Sequence, residues 1–297
     1  MSAPRVFDRS LLRRRRRRAL ALGPATFLID RVADDLADRL ASVLRRFVLA
    51  ADLGTPTGAL RRALAPRVDT LVAVDADVLA QRDEAGLKVA ADLEALPFAD
   101  ASLDLVVSAL ALQSIDDLPG ALVQVRRALK PDGLLLAALL GGDTLTELRA
   151  SFAAAEAEIE GGVSPRVAPF FDAREAGALL QRAGFALPVA DVDRITVRYA
   201  SAFDLMRDLR RMGATNPLVE RRRTSLRRAT LLRMAEIYAT QFADADGRVR
   251  ASFDVVWLSG WAPHASQPQP LKPGSARTRL ADALGTREIS TGEPPER

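Results

Sequence analysis

The strongest constraint on how this 297-residue chain can fold is a series of short apolar stretches, Val48–Leu53, Thr70–Val74, Leu105–Ala109 and Leu134–Leu140, separated by segments of helical periodicity. Runs of strand length that are apolar throughout, without alternation, are buried on both faces. Their βαβα order therefore calls for a parallel sheet with helices on both sides. Ahead of the first run, Phe27, Ile29, Val32, Leu36, Leu40, Val43 and Leu44 recur at helical spacing, so a helix over 27–47 should cover one flank of that sheet.

Beyond Gly141 the pattern gives a helix over Thr144–Ile159, a loop marked by Gly161, Gly162 and Pro165, and a helix over Ala173–Ala183 closed by Gly184. Strand material follows over 185–197 and again over Val255–Leu258. Between them, Ala202–Met212 and Leu226–Phe242 read as helices of an inserted cap over the carboxyl edge of the sheet. The expected organisation is a basic arm over 1–26, an α/β domain over 27–262 with cap helices at about 201–242, and a Pro/Ser/Gly-rich tail over 263–297.

Composition removes several chemistries. Cysteine is absent, which excludes a disulfide framework, a thiolate nucleophile, an iron–sulfur cluster and a cysteine zinc site. A single histidine, His264, excludes the paired histidines of HExxH enzymes and of two-histidine iron sites. No stretch reaches the roughly 18 apolar residues of a membrane span, so the chain is read as soluble, cytoplasmic and bacterial, and able to sit at the inner membrane surface. The net charge of +4 is carried by arginine, and six arginines run consecutively from Arg13 to Arg18. That run is a solvated arm or basic helix suited to an acidic partner or anionic membrane. A tract without interleaved aromatics does not point to nucleic acid, and Asp8 together with the lack of Ser-rich patterning argues against a targeting peptide.

At the end of the first apolar run stands Asp52-Leu53-Gly54-Thr55-Pro56-Thr57-Gly58, leading into a helix. Glycines at such a turn let backbone approach a ligand, though two glycines flanking three residues fall short of GxGxxG and also suit a plain βα turn. Asp75, ending the second run, is placed to accept both hydroxyls of a ribose, and Asp92 precedes Leu96-Pro97-Phe98, which suits the side of an adenine ring. An Asp at a strand end is also a common turn former. A nicotinamide-binding fold shares the glycine loop and the acid, but does not predict Leu129-Lys130-Pro131-Asp132-Gly133 before a fifth strand.

In this order the motifs resemble class I S-adenosylmethionine-dependent methyltransferases of the methyltransferase-11 type. More specifically, the chain resembles the mitochondrial complex I assembly factor 5 family and its alphaproteobacterial relatives. The segments that carry this resemblance include Val6-Phe7-Asp8-Arg9, Asp104-Leu105-Val106-Val107-Ser108, Gly141-Gly142-Asp143-Thr144-Leu145, Glu160-Gly161-Gly162, and Gly260-Trp261 followed by His264. The resemblance implies a Rossmann-like, mostly parallel seven-stranded sheet with helices on both faces. It also implies an S-adenosylmethionine site at Asp52, Gly54, Gly58, Asp75, Asp92, Leu93 and Ser108. Two positions depart from the family: Pro56 stands where its loop has glycine, and Gln113-Ser114 stand where it has His-Trp.

The family role is modification of an arginine on the iron–sulfur subunit of respiratory complex I, reportedly by hydroxylation, which the residues here explain less readily than methyl transfer because they offer no ligand set for iron. Asp143 and His264 are the catalytic candidates; Asp143 or Thr144 equally suits the N-cap of the following helix, with Glu147 in its first turn, and a lone histidine is often structural. Two alternatives remain, a chaperone of complex I that has lost turnover and a small-molecule or carrier-protein O-methyltransferase.

Overall fold

The computed structural model describes residues 5–77, 86–268, 278 and 280–287. Contacts divide the chain into a large unit, Met1–Pro263, and a small one, His264–Arg297. The large unit runs α1 (Arg9–Ala21), α2 (Phe27–Ala41), β1 (Phe47–Leu53), α3 (Ala59–Leu64), β2 (Val68–Asp75), β3 (Leu87–Ala90), β4 (Leu103–Ala109), α4 (Leu118–Ala128), β5 (Leu129–Leu140), α5 (Thr146–Glu160), α6 (Ala173–Arg182), β6 (Ala186–Tyr199), α7 (Ala202–Arg211), α8 (Arg228–Phe242) and β7 (Val249–Trp261). The small unit contains α9 (Leu280–Leu284).

One seven-stranded sheet has the order β3-β2-β1-β4-β5-β7-β6. The pairs β1–β2, β1–β4, β2–β3 and β4–β5 are parallel, and β7 is antiparallel to both β5 and β6. Every residue of β4 is buried, as a central strand covered on both faces requires. On one face Val32, Leu36 and Leu40 of α2 and Leu60 and Leu64 of α3 pack on the sheet. On the other, Leu122 and Val125 of α4 and Leu179 and Leu180 of α6 do so. A third apolar cluster joins α5, α7 and α8 to the end of β7 through Phe152, Leu205, Tyr238 and Phe253. Of these, α7 and α8 coincide with the two segments read as helices in the sequence, Ala202–Met212 and Leu226–Phe242.

Several boundaries differ from the periodicity, and the strand expected over Val255–Leu258 runs through Val249–Trp261. The first long helix stops at Ala41 instead of running to Phe47, because Phe47 is fully buried in β1 and its N–H donates to the Arg67 carbonyl, while Leu44 is 99% exposed. Leu129–Gly133 also opens β5 rather than preceding it: Leu103 pairs with Leu129, and the ladder resumes after a register shift at Leu105 and Leu134.

The N-terminal segment is docked. The Asp8 carboxylate caps α1 by accepting the Leu11 N–H at 2.9 Å, and Phe7 forms an antiparallel bridge with Leu218. Gly213, at φ +70°, lets α1 lie close: a Cβ there would stand 3.1 Å from the Arg16 Cα. No described helix is long and apolar enough to cross a membrane.

Candidate functional site

The chain runs outward from β1 to β3 and returns beside β1 as β4, so the topological switch point lies between the carboxyl ends of β1 and β4, where open α/β sheets bind ligands. A cavity of about 490 Å³ opens there. Its floor carries Pro56 and Thr57 after β1, Asp75 and Asp77 after β2, and Gln113 and Ser114 after β4. Leu12, Arg16 and Ala19 of α1 form a second wall, and Leu145, Leu148, Phe152 and Phe253 supply apolar surface beyond.

The loop after β1 is held from within. Gly54 has φ +73°, and a Cβ there would come 2.7 Å from Leu93 Cδ1, so this glycine is required by its own backbone and by Leu93 packed over it. The buried Thr55 hydroxyl donates to the Asp52 carboxylate and accepts the Ala109 N–H at 3.1 Å, tying the loop to the end of β4. Gly58 is the N-cap of α3. Asp52, Gly54, Gly58 and Leu93 thus shape the loop behind the cavity surface.

The three features that the sequence placed at one cleft do meet at neighbouring strand ends. The Gly54 N–H donates to the Val74 carbonyl at 2.8 Å, and the Ala91 N–H donates to the Asp75 carbonyl at 3.3 Å, bringing Asp92 alongside. Asp75 faces the cavity; its Oδ1 accepts the Asp77 N–H at 2.6 Å and its Oδ2 lies 3.6 Å from Arg16 Nη1. The buried Asp77 receives both Arg17 Nε at 2.6 Å and Nη2 at 2.8 Å. Asp92 accepts Arg9 Nη1 at 2.6 Å, and Arg9 also pairs with Glu94. Three arginines of the N-terminal segment, Arg9, Arg16 and Arg17, are therefore matched to acids of this chain's own cofactor-side loops. Burial pushes the Arg16 guanidinium below its usual pKa, with Asp75 and then Asp77 opposing the shift.

Other candidates are used elsewhere. Ser108 is fully buried and its hydroxyl donates to the Leu53 carbonyl at 2.7 Å, so it joins β4 to β1 and offers nothing to a ligand. Neither Asp143 nor Thr144 caps α5, whose N-cap is Leu145 at φ +55°. Asp143 is exposed and paired with Arg194 at 2.6 Å, while the Thr144 hydroxyl is bonded to the Asp254 backbone. Glu147 does stand in the first turn, but buried, accepting from the Ser252 N–H and hydroxyl. Gly141 packs on β7, where a Cβ would meet Val256 Cγ2 at 2.8 Å. His264 belongs to the small unit; it is exposed and its Nδ1 lies 2.7 Å from the Ser266 hydroxyl.

Gln113, marked in the sequence as a departure from the family pattern, lines the cavity, and two further lining residues, Arg166 and Arg16, escaped the sequence reading. Gln113 is buried; its amide NH₂ donates to the Leu110 carbonyl at 2.9 Å and its Oε1 has no partner among the described residues. Arg166 is positioned by Glu156, a fully buried carboxylate that also accepts the Ser164 N–H at 2.7 Å. Arg16 carried no signal distinguishing it from its five neighbours in the arginine run. Among the described lining residues Asp75 and Asp77 are the only acids, whereas Arg15, Arg16, Arg18, Arg166, Arg210 and Arg211 all contribute.

A methyltransferase domain model matches residues 51–137, the segment that builds the floor of this cavity. The arginine-hydroxylase NDUFAF5 of Danio rerio mitochondria is 39% identical over 286 residues, covering 93% of this chain and 89% of that protein. The chain belongs to the NDUFAF5 family. A malonyl-[acyl-carrier protein] O-methyltransferase of Laribacter hongkongensis is 36% identical over 286 residues, covering 90% and 94% of the two chains. A Bacillus halodurans structure described as a methyltransferase superposes with TM-score 0.52 at 18% identity, over 77% of this chain and 99% of that one, which shows the shared fold.

The protein is thus an enzyme of the S-adenosylmethionine-dependent methyltransferase superfamily, with S-adenosylmethionine as its cofactor. The residues present fit that group. A carboxylate, Asp75, lines the cavity and can accept from a diol, and the partly buried Arg16 and Gln113, whose buried Oε1 has no partner among the described residues, line the same cavity as the apolar wall.

Proposed function

We propose that this NDUFAF5-family protein binds S-adenosylmethionine in the cavity between α1 and the carboxyl ends of β1, β2 and β4. Its target is an arginine side chain of the iron–sulfur subunit of respiratory complex I, modified during assembly of that complex in the bacterial cytoplasm beside the inner membrane. The cofactor supplies an electrophilic methyl group; Asp75 binds and orients the nucleoside, and the apolar wall excludes water. The observation that carries this reading is similarity to a mitochondrial arginine-hydroxylase over nearly the full length of both chains. Mass spectrometry of complex I subunits from a strain deleted for the gene tests it. A modified arginine should be present in the parent and absent from the deletion strain. Persistence of the modification, or its absence from both strains, contradicts the reading and leaves the chaperone role.

A second reading is favoured by one specific observation, the scarcity of acids on a cavity lined by six arginines. Such a lining suits a carboxylate acceptor better than a cation, as in the malonyl-carrier-protein relative. Methyl transfer from labelled cofactor to a malonyl carrier protein by the purified enzyme would support it.

A further inference from the structure

Arg16 and Gln113 both line one cavity, and each has unfilled hydrogen-bonding capacity among the described residues. The Arg16 side chain is only 21% exposed, its guanidinium makes no hydrogen bond among the described residues, and its one ion pair, to Asp75, is long at 3.6 Å. A guanidinium has five N–H donors, so most of its capacity is unused. Gln113 shows the opposite deficit. Its NH₂ must face the Leu110 carbonyl, because two oxygens cannot share a hydrogen bond, and this fixes Oε1 as a buried acceptor without a partner among the described residues. A desolvated donor set and a desolvated acceptor cost stability unless a ligand satisfies both.

The loop between them lacks the usual alternative. Pro56 lines the same cavity, and proline has no backbone N–H to offer an anionic group. A guanidinium with spare donors, a buried acceptor with spare capacity and a missing N–H together suit a group bearing a carboxylate and an ammonium.

We propose that Arg16 of α1 and Gln113 after β4 together bind the α-amino-acid head of the cofactor, Arg16 taking the carboxylate that the proline loop cannot hold and Gln113 Oε1 accepting from the ammonium. This rests on the cofactor reading of the cavity. It also gives the docked N-terminal helix a binding role: the chain that supplies Arg16 is anchored by Arg17 on Asp77 and Arg9 on Asp92. A charge-assisted hydrogen bond in a partly desolvated site is worth about ten- to a hundredfold in affinity.

Titration calorimetry with three ligands tests the proposal without reference to turnover: S-adenosylhomocysteine, its decarboxylated aminopropyl analogue, and 5′-methylthioadenosine, which lacks the whole head group. Wild type should bind S-adenosylhomocysteine at least about tenfold more tightly than the aminopropyl analogue. R16M should lose about ten- to a hundredfold for S-adenosylhomocysteine and little for the other two. Q113L should weaken the two amine-bearing ligands and spare 5′-methylthioadenosine. Retained 5′-methylthioadenosine binding shows that each variant is folded, and the wild-type ratio stands even if a variant is not. Equal loss for all three ligands in R16M, or equal wild-type affinities with and without the carboxylate, overturns the proposal while leaving the cofactor site intact. Failure of wild type to bind any of the three removes the cofactor reading itself.

Discussion

At the residue scale, Pro56 concentrates the tension between family pattern and local chemistry. It fixes its own φ, removes an N–H, and biases Thr55 toward extended backbone, while Thr55 is held by Asp52 and by the Ala109 N–H. Replacing it with glycine restores a donor at the cavity surface and loosens the unfolded chain. Pro56→Gly is expected to bind S-adenosylhomocysteine about five- to thirtyfold more tightly than wild type, in calorimetry, while its stability falls by about 0.4–1 kcal/mol. Weaker binding would mean that the rigid turn itself positions the ligand. Asp75, the acid that the sequence assigned to a ribose, lines the cavity at the carboxyl end of its strand beside Asp77. Ser108 was misread: alternation along a strand buried on both faces does not say which hydroxyl a neighbouring carbonyl will claim.

At the element scale, the loop after α5 is held by one buried carboxylate. Glu156 accepts from Ser164 and Arg166, and those contacts set Arg166 and the apolar residues that follow it against the cavity. Burial alone would raise the Glu156 pKa, but the Ser164 N–H, Arg166 and the Ser164 hydroxyl outweigh it and hold the carboxyl below its ordinary range. A depressed folded pKa contributes stability that is present above the unfolded value of about 4.3 and is lost as pH falls through the folded value. Glu156→Gln should therefore cost about 3–5 kcal/mol near pH 7, measured by urea unfolding, and the gap from wild type should narrow below about pH 4. A constant gap across that range would assign the effect to packing. Helix and strand types were legible here from periodicity alone, including the cap helices α7 and α8. The start of α5 was not, since Asp143 and Thr144 offered good capping side chains, yet Arg194 and the Asp254 backbone on the adjoining strands took them. Local preference yielded to tertiary partners.

At the scale of the whole molecule, the order of apolar runs sufficed for the doubly wound sheet, because parallel strands buried on both faces have few other topologies open to them. What stayed hidden was how the arginine run meets that sheet. Read locally, Arg13–Arg18 is a charged helix with no preferred side. In the folded chain the same helix faces acids 59 to 83 residues away, with Arg9 on Asp92 and Arg16 and Arg17 on Asp75 and Asp77. Such pairing over long sequence separation leaves no periodic trace. The cavity between α1 and the sheet exists only in the assembled unit, and Asp75 is the one acid proposed to touch the nucleoside there. The most direct measurement is titration of S-adenosylmethionine into wild type and Asp75→Ala, with the fold of each checked by circular dichroism. Wild type should bind one equivalent, and Asp75→Ala should lose at least about tenfold in affinity while remaining folded. Equal binding by the two proteins would contradict the placement of the cofactor in this cavity.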